Sequence, residues 1–282
     1  MIELFQQSFV QNAFWAGTII AILAAVVGYF VVLRAQAFAA HALSHIGFAG
    51  ATGAVLFGMS SLAGMFIFTI LAAVGIGSLE KRIQGRDIEI GMILSFVLGL
   101  GVLFLRLYTN SASEAVGVLF GSILSVTSGD VVLTLIFGIG TLIALMVVFR
   151  PLLFASIDPE VAEARGVPVK FLSIFFMLLL AITVAESIQV VGVLLVFALL
   201  IAPAASAQHI TRNPISSILL SIVFGLIFTW GGLLLAFTTR FPVSFYIATF
   251  AALTYFIVVN SCHFLTPHRS SPAKHAHGEN GK

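Results

Sequence analysis

Polar positions along this chain occur mainly as short breaks between long apolar runs. The runs lie near 12–33, 37–58, 61–79, 88–107, 130–149, 171–188, 190–208, 215–237 and 243–262. Most reach or approach the ~20 residues a helix needs to cross the hydrocarbon layer. Lipid offers the backbone no hydrogen-bond partner, so runs of this kind read as helices. The run near 171–188 is short and can join its neighbour as one broken helix. The expectation is therefore an all-α polytopic membrane protein with eight or nine transmembrane helices. Composition agrees: of 282 residues 60% are hydrophobic and 9% charged, against about 25% charged in soluble domains. No internal repeat or soluble domain is visible. The expected organisation is one transmembrane domain over 1–264 and a disordered tail over 265–282. The first run is too long for a signal peptide and lacks its basic start and small-residue cleavage site, so it reads as retained.

Charge orients the bundle. With nine spans and the C-terminus inside, all but two of the 13 Lys and Arg residues fall on the inner side; Arg106 and Arg240 fall outside. Inner loops carry such an excess, and the N-terminus then lies outside, where "MIELFQQSFVQN" can lie flat on the bilayer. Eight spans would move the N-terminus inside. The net charge of +2 follows from these loops and is no nucleic-acid footprint. A single cysteine, Cys262, excludes an intrachain disulfide and a cysteine-based metal site.

The chemistry sits in "AAHALSHIGFAGATGA", 39–54. Arg34 marks the inner boundary, which puts His41 and His45 about 10 and 16 Å into a layer about 30 Å thick. Residues four apart share a helix face, so both imidazoles point one way, with Thr52 on the same face. Gly47, Gly50, Ala51, Ala54 and Gly58 form a second face, small enough for close helix contact. Polar groups at this depth mark bundle interiors or substrate pathways, and neutral imidazole is the commonest metal-ligating side chain. The pair reads as a two-nitrogen metal site.

The longest polar interruption runs from Phe149 to Phe171. Within it "DPEVAEARG" reads as a short helix at about 158–166, with Asp158 as N-cap, Pro159 at the first helical position and Gly166 as terminator. Glu186, near the outer end of its span and one turn from Gln189, is a candidate third metal ligand or outer gate. Glu114 and Asp130 read as solvated outer-loop residues. Pro203 cannot donate its backbone bond and is a candidate hinge. His209 and His263 fall near inner helix ends and need no function. The polar tail carries His268, His275 and His277, a loose histidine tract.

These stretches together resemble the membrane permease of zinc- and manganese-type metal-ion ABC importers. "GYFVVLRAQAFAAHALSHIGFAGA", "VLFGSILSVTSGD", "SIDPEVAEARGVPV" and "VVGVLLVFALLIAPAASA" match that family's segments in order over some 180 residues. The resemblance implies a permease that transports a divalent transition metal, zinc first and then manganese or iron, across the cytoplasmic membrane. It implies a separate cytoplasmic ABC ATPase that binds ATP, an extracytoplasmic solute-binding protein, and a second permease copy, with a homodimer expected. It makes Asp158, Glu160, Ala162 and Gly166 the element that couples to the ATPase. No covalent cofactor is implied. The chain holds no Gly-x-x-x-x-Gly-Lys-Ser/Thr phosphate loop, which fits a transport subunit and not an enzyme. One departure stands out: the family's usual aspartate is His41 here, while His45 is retained. Exchanging a carboxylate for an imidazole leans towards zinc over manganese. The alternatives are a permease for a metal chelate or cobalamin-like solute, or a secondary metal transporter. The latter lacks support, because mid-depth coupling carboxylates and inverted repeats are missing from the sequence.

Overall fold

The computed structural model describes residues 7–78, 86–107, 121, 123–239 and 241–265. Among them nine long helices alternate in direction. They are α1 (Ser8–Leu33), α2 (Ala37–Leu56), α3 (Ser61–Ser78), α4 (Arg86–Leu107), α5 (Ser128–Ile157), α7 (Val169–Val191), α8 (Val193–Ile210), α9 (Pro214–Thr238) and α10 (Val243–Leu265). A short helix, α6 (Pro159–Ala164), follows α5. The expected tail beyond Leu265, Glu114 and the start of the N-terminal segment fall outside the described residues, as do the side chains of Cys262 and His263.

Eight of the long helices are apolar and long enough to cross a membrane; α2 is the ninth. Its histidines, glycines, Ser44 and Thr52 lower its hydropathy, and its neighbours supply the apolar surroundings. α3, α4, α7 and α8 pack around it, and of its residues Phe38 alone is exposed, at 39%. Of the eight, α1 and α7 are the most enclosed. α1 touches α5, α7, α8 and α9, while α10 closes the far side against α8 and α9. The outward faces of α4, α5, α9 and α10 present Phe96, Met146, Ile227 and Phe256, the surface a lipid-facing helix needs.

Polar contacts mark the two ends of the bundle. At one, Asn12 of α1 donates to the Val126 carbonyl at 3.2 Å. At the other, Arg34 donates to Ser156 in the last turn of α5 and to Ser173 in the second turn of α7. Between them glycines set the helix spacing. A methyl added to Gly50 would lie 2.4 Å from the Gly64 carbonyl oxygen, and one on Gly64 would lie 2.1 Å from that of Gly50. The α2–α3 crossing therefore requires both glycines. Gly28 lies so close to α8 that a methyl there would overlap the Leu200 carbonyl.

Three expectations change. Gly58 is not on the α2 packing face: it follows the helix with φ +67° and meets nothing within 4 Å. The interruption after Phe149 is shorter than its polarity implied, because α5 runs through Arg150 and Pro151 to Ile157. Buried Leu152 and Ala155 hold those extra turns in the core. The run near 171–188 belongs to a 23-residue helix, separated from α8 at Gly192, whose φ of +82° suits glycine.

Helix α1 ends in a Schellman cap: the Gln36 N–H bonds the Val31 carbonyl and the Ala35 N–H that of Val32. The left-handed position belongs to Ala35, at φ +53°, where glycine is the usual residue. Ala35→Gly is expected to raise stability by about 1 kcal/mol, whereas Gly64→Ala should lower it by about 1–3 kcal/mol through overpacking. Thermal unfolding of the purified chain in detergent checks both, and a lower Tm for Ala35→Gly would contradict the strain at that cap.

Candidate metal path and coupling face

His41 and His45 lie on one face of α2, both partly exposed. Their rings meet edge to face with centroids 4.6 Å apart, and His41 stands edge-on to Phe197 of α8 at 5.0 Å. The opposite side of α2 is occupied by helix packing, with Gly47 against Ile188 and Gly50 against Gly64. Close packing thus leaves one direction for the imidazoles, towards α8. Thr52 is buried and spends its hydroxyl on the Ala49 carbonyl at 3.0 Å.

Glu186 is placed elsewhere. It sits two residues before Ile188, which packs on α2; a step of two residues turns a helix about 200°. The carboxylate accordingly faces α5, where it accepts a hydrogen bond from Thr134. It is 2% exposed, and its Oε2 has no hydrogen-bond partner. Among the described residues no three of His, Cys, Asp and Glu come together as a ligand group, so within one chain Glu186 does not join the histidine pair. Asp130 is also more than a solvated loop residue. It closes a capping box with Thr127 at the start of α5, and Gln189 donates to its Oδ1 at 3.0 Å. Glu186, Thr134, Asp130 and Gln189 together form a polar seam between α5 and α7.

At the other end, α6 is built as its sequence dictates. The Asp158 carboxylate accepts from the Val161 N–H at 3.0 Å, and Pro159 takes the first turn. Glu160 is exposed, and Gly166 ends the segment at φ +81°. Ala162 is fully buried and seats the helix on the bundle. Arg34 is the residue sequence reasoning missed, because a basic residue closing an apolar run reads only as a membrane boundary. Its guanidinium bonds Ser156 on one side of α6 and Ser173 on the other, and lies 5.8 Å from the Phe176 ring centre. Pro203 is buried inside α8, and the helix continues through it.

Eight helices long and apolar enough to cross a membrane, a ninth that carries a histidine pair among glycine contacts, and a short capped helix at one end are the architecture of a polytopic membrane protein. The chain belongs to the ABC 3 transport family, which it matches over residues 6–261. It is the transmembrane subunit of an ABC transporter and not an enzyme. It is 32% identical to the manganese transport system membrane protein MntC of Listeria monocytogenes over 90% of this chain and 91% of that protein. It is 30% identical to the high-affinity zinc uptake system membrane protein ZnuB of Haemophilus influenzae over 79% and 86%. PsaBC from Streptococcus pneumoniae, solved in complex with Fab, has the same fold: TM-score 0.81, 30% identity, covering 91% of this chain and 93% of that one.

The seam predicts how Glu186 variants behave. Glu186→Gln keeps an acceptor for Thr134 and is expected to unfold within a few degrees of wild type. Glu186→Ala leaves a void and strands the Thr134 hydroxyl, a loss of roughly 1–3 kcal/mol. Thermal unfolding of the two variants separates them, and equal destabilisation would count against a shape- and hydrogen-bond-determined role.

Proposed function

We propose that this chain is the permease of an importer for a divalent transition-metal ion, zinc first and manganese after it, with His41 and His45 as ligands on the ion's route. The observation that carries the reading is the imidazole pair, 4.6 Å between ring centres, on the side of α2 opposite its Gly47 and Gly50 contacts. The names of the relatives support a metal substrate, and two imidazoles favour zinc over manganese, which prefers oxygen donors. Zinc takes about four ligands, so water or a second copy's residues complete the shell. The Arg34 end faces the cytoplasm of a cytoplasmic membrane, as does the C-terminus, in keeping with the charge bias. A separate ATPase docks there on α6, the element Asp158 to Gly166: exposed Glu160 faces the partner, Asp158 and Gly166 fix the ends of the segment, and buried Ala162 seats it on the bundle. An extracytoplasmic binding protein delivers the ion to the other end, and two copies of the permease form the transporter. Arg34 ties the flanks of α6 to the start of α2, so movement of α6 reaches the helix that carries the histidines.

The test is ATP-driven uptake of zinc and manganese into proteoliposomes holding permease, ATPase and binding protein. His41→Ala and His45→Ala should each cut uptake by roughly tenfold or more, already the scale for groups one step removed from a metal, with basal ATP hydrolysis retained. Unchanged uptake in both would return the pair to a packing role. Absence of uptake even by the unaltered transporter would point to another solute, such as a metal chelate.

A further inference from the structure

The faces of α2 and α8 that meet at the histidines continue towards the α6 end of the bundle. On α2, Ala37 lies one turn from His41, and on α8, Ile201 and Ala205 follow Phe197 at intervals of four, which keeps them on one side. His209 lies a further turn on, rotated about 120° from Phe197, where it meets Tyr255. The helices are antiparallel, so the contact of His41 with Phe197 brings Ala37 level with Ile201. There the faces part around a cavity of about 430 Å³, bordered by Ala37, Ile201, Ala205, Gln208, His209 and Tyr255 of α10. Its first lining residues lie one turn, about 6 Å, from the His41–Phe197 contact. Small Ala37 and Ala205 leave the space open. Gln208 is steadied by donating to the Tyr29 carbonyl at 2.8 Å, and the exposed His209 ring stands 6.2 Å from that of Tyr255.

We propose that this cavity is the release vestibule for the metal ion, that Phe197 closes it from the imidazole pair, and that His209 is the last protein ligand the ion meets. The proposal rests on the reading of His41 and His45 as ligands. A pathway must bind its ion well enough to admit it and weakly enough to let it go. Two imidazoles followed by one imidazole with a neutral amide and a phenol form such a descending series. The aromatic ring between them explains why two neighbouring polar places are not one open channel. His209, which sequence alone treats as an ordinary helix-end histidine, gains its role from this register.

Two measurements on the assembled transporter test it. In a Cys262→Ser background, Ala205→Cys should react with a membrane-impermeant thiol reagent in inside-out vesicles and not in intact cells; Ile201→Cys serves if Ala205→Cys fails to assemble. In proteoliposomes loaded with a zinc-sensitive dye, Phe197→Ala should let zinc chloride enter without ATP several-fold faster than wild type. Phe197→Trp should stay as tight as wild type. His209→Ala should lower the maximal rate of ATP-driven zinc uptake with the half-saturating zinc concentration unchanged. Failure of both cysteines to react from the cytoplasmic face, or Phe197→Ala vesicles as tight as wild type, would overturn the vestibule. Unaltered uptake by His41→Ala and His45→Ala alongside cytoplasmic labelling and a Phe197→Ala leak would instead overturn the histidine reading and leave the vestibule standing.

Discussion

The α2–α3 crossing at Gly50 and Gly64 is the constraint from which the rest of this bundle follows. With backbones this close, α2 is enclosed by protein on most of its surface. Enclosure is what lets this helix carry two histidines at membrane depth, because the bilayer core gives polar groups nothing to bond. Ser44 and Thr52 are satisfied by their own backbone, through the Ala40 and Ala49 carbonyls. The imidazoles are left for α8. A side chain at Gly50 would push α3 away and open the helix to lipid, so the small residues are what make the polar ones tolerable.

The same helix is tied to the α6 end of the bundle by Arg34. Arg34 caps α1, stands three residues before the start of α2, and bonds both flanks of α6. A guanidinium suits this position because its rigid fork of donors reaches several acceptors at once. Lysine would place a point charge there and hold the two flanks less well. The left-handed Ala35 beside it adds local strain at the turn into α2, and strained backbone of this kind recurs at elements that move.

Much of this was legible beforehand, and the unread parts share a cause. The limits of α2, α4 and α10 lie within a few residues of the apolar runs, because charges and Gly-rich breaks end helices for local reasons. Asp158, Pro159 and Gly166 prescribe α6 through capping chemistry alone. The histidine pair was visible because imidazole at membrane depth is conspicuous on any helix. By contrast, Phe197 is one of 27 phenylalanines, and only the α2–α8 register singles it out. Glu186 was readable as a carboxylate near the outer end of its span, but its burial and direction depend on Ile188 occupying the α2 side of α7, a tertiary fact. α5 ran past Pro151 because Leu152 and Ala155 are buried, and packing there outweighs the helix-breaking tendency of proline.

The central claim, that an ion on its route is held by His41 and His45, is tested most directly by X-ray absorption at the zinc edge on the assembled transporter loaded with one zinc per permease. The account predicts imidazole nitrogens at about 2.0–2.1 Å, with their outer-ring scattering lost in the His41→Ala, His45→Ala double variant. A spectrum of oxygen donors only, or one unchanged in the double variant, would contradict it.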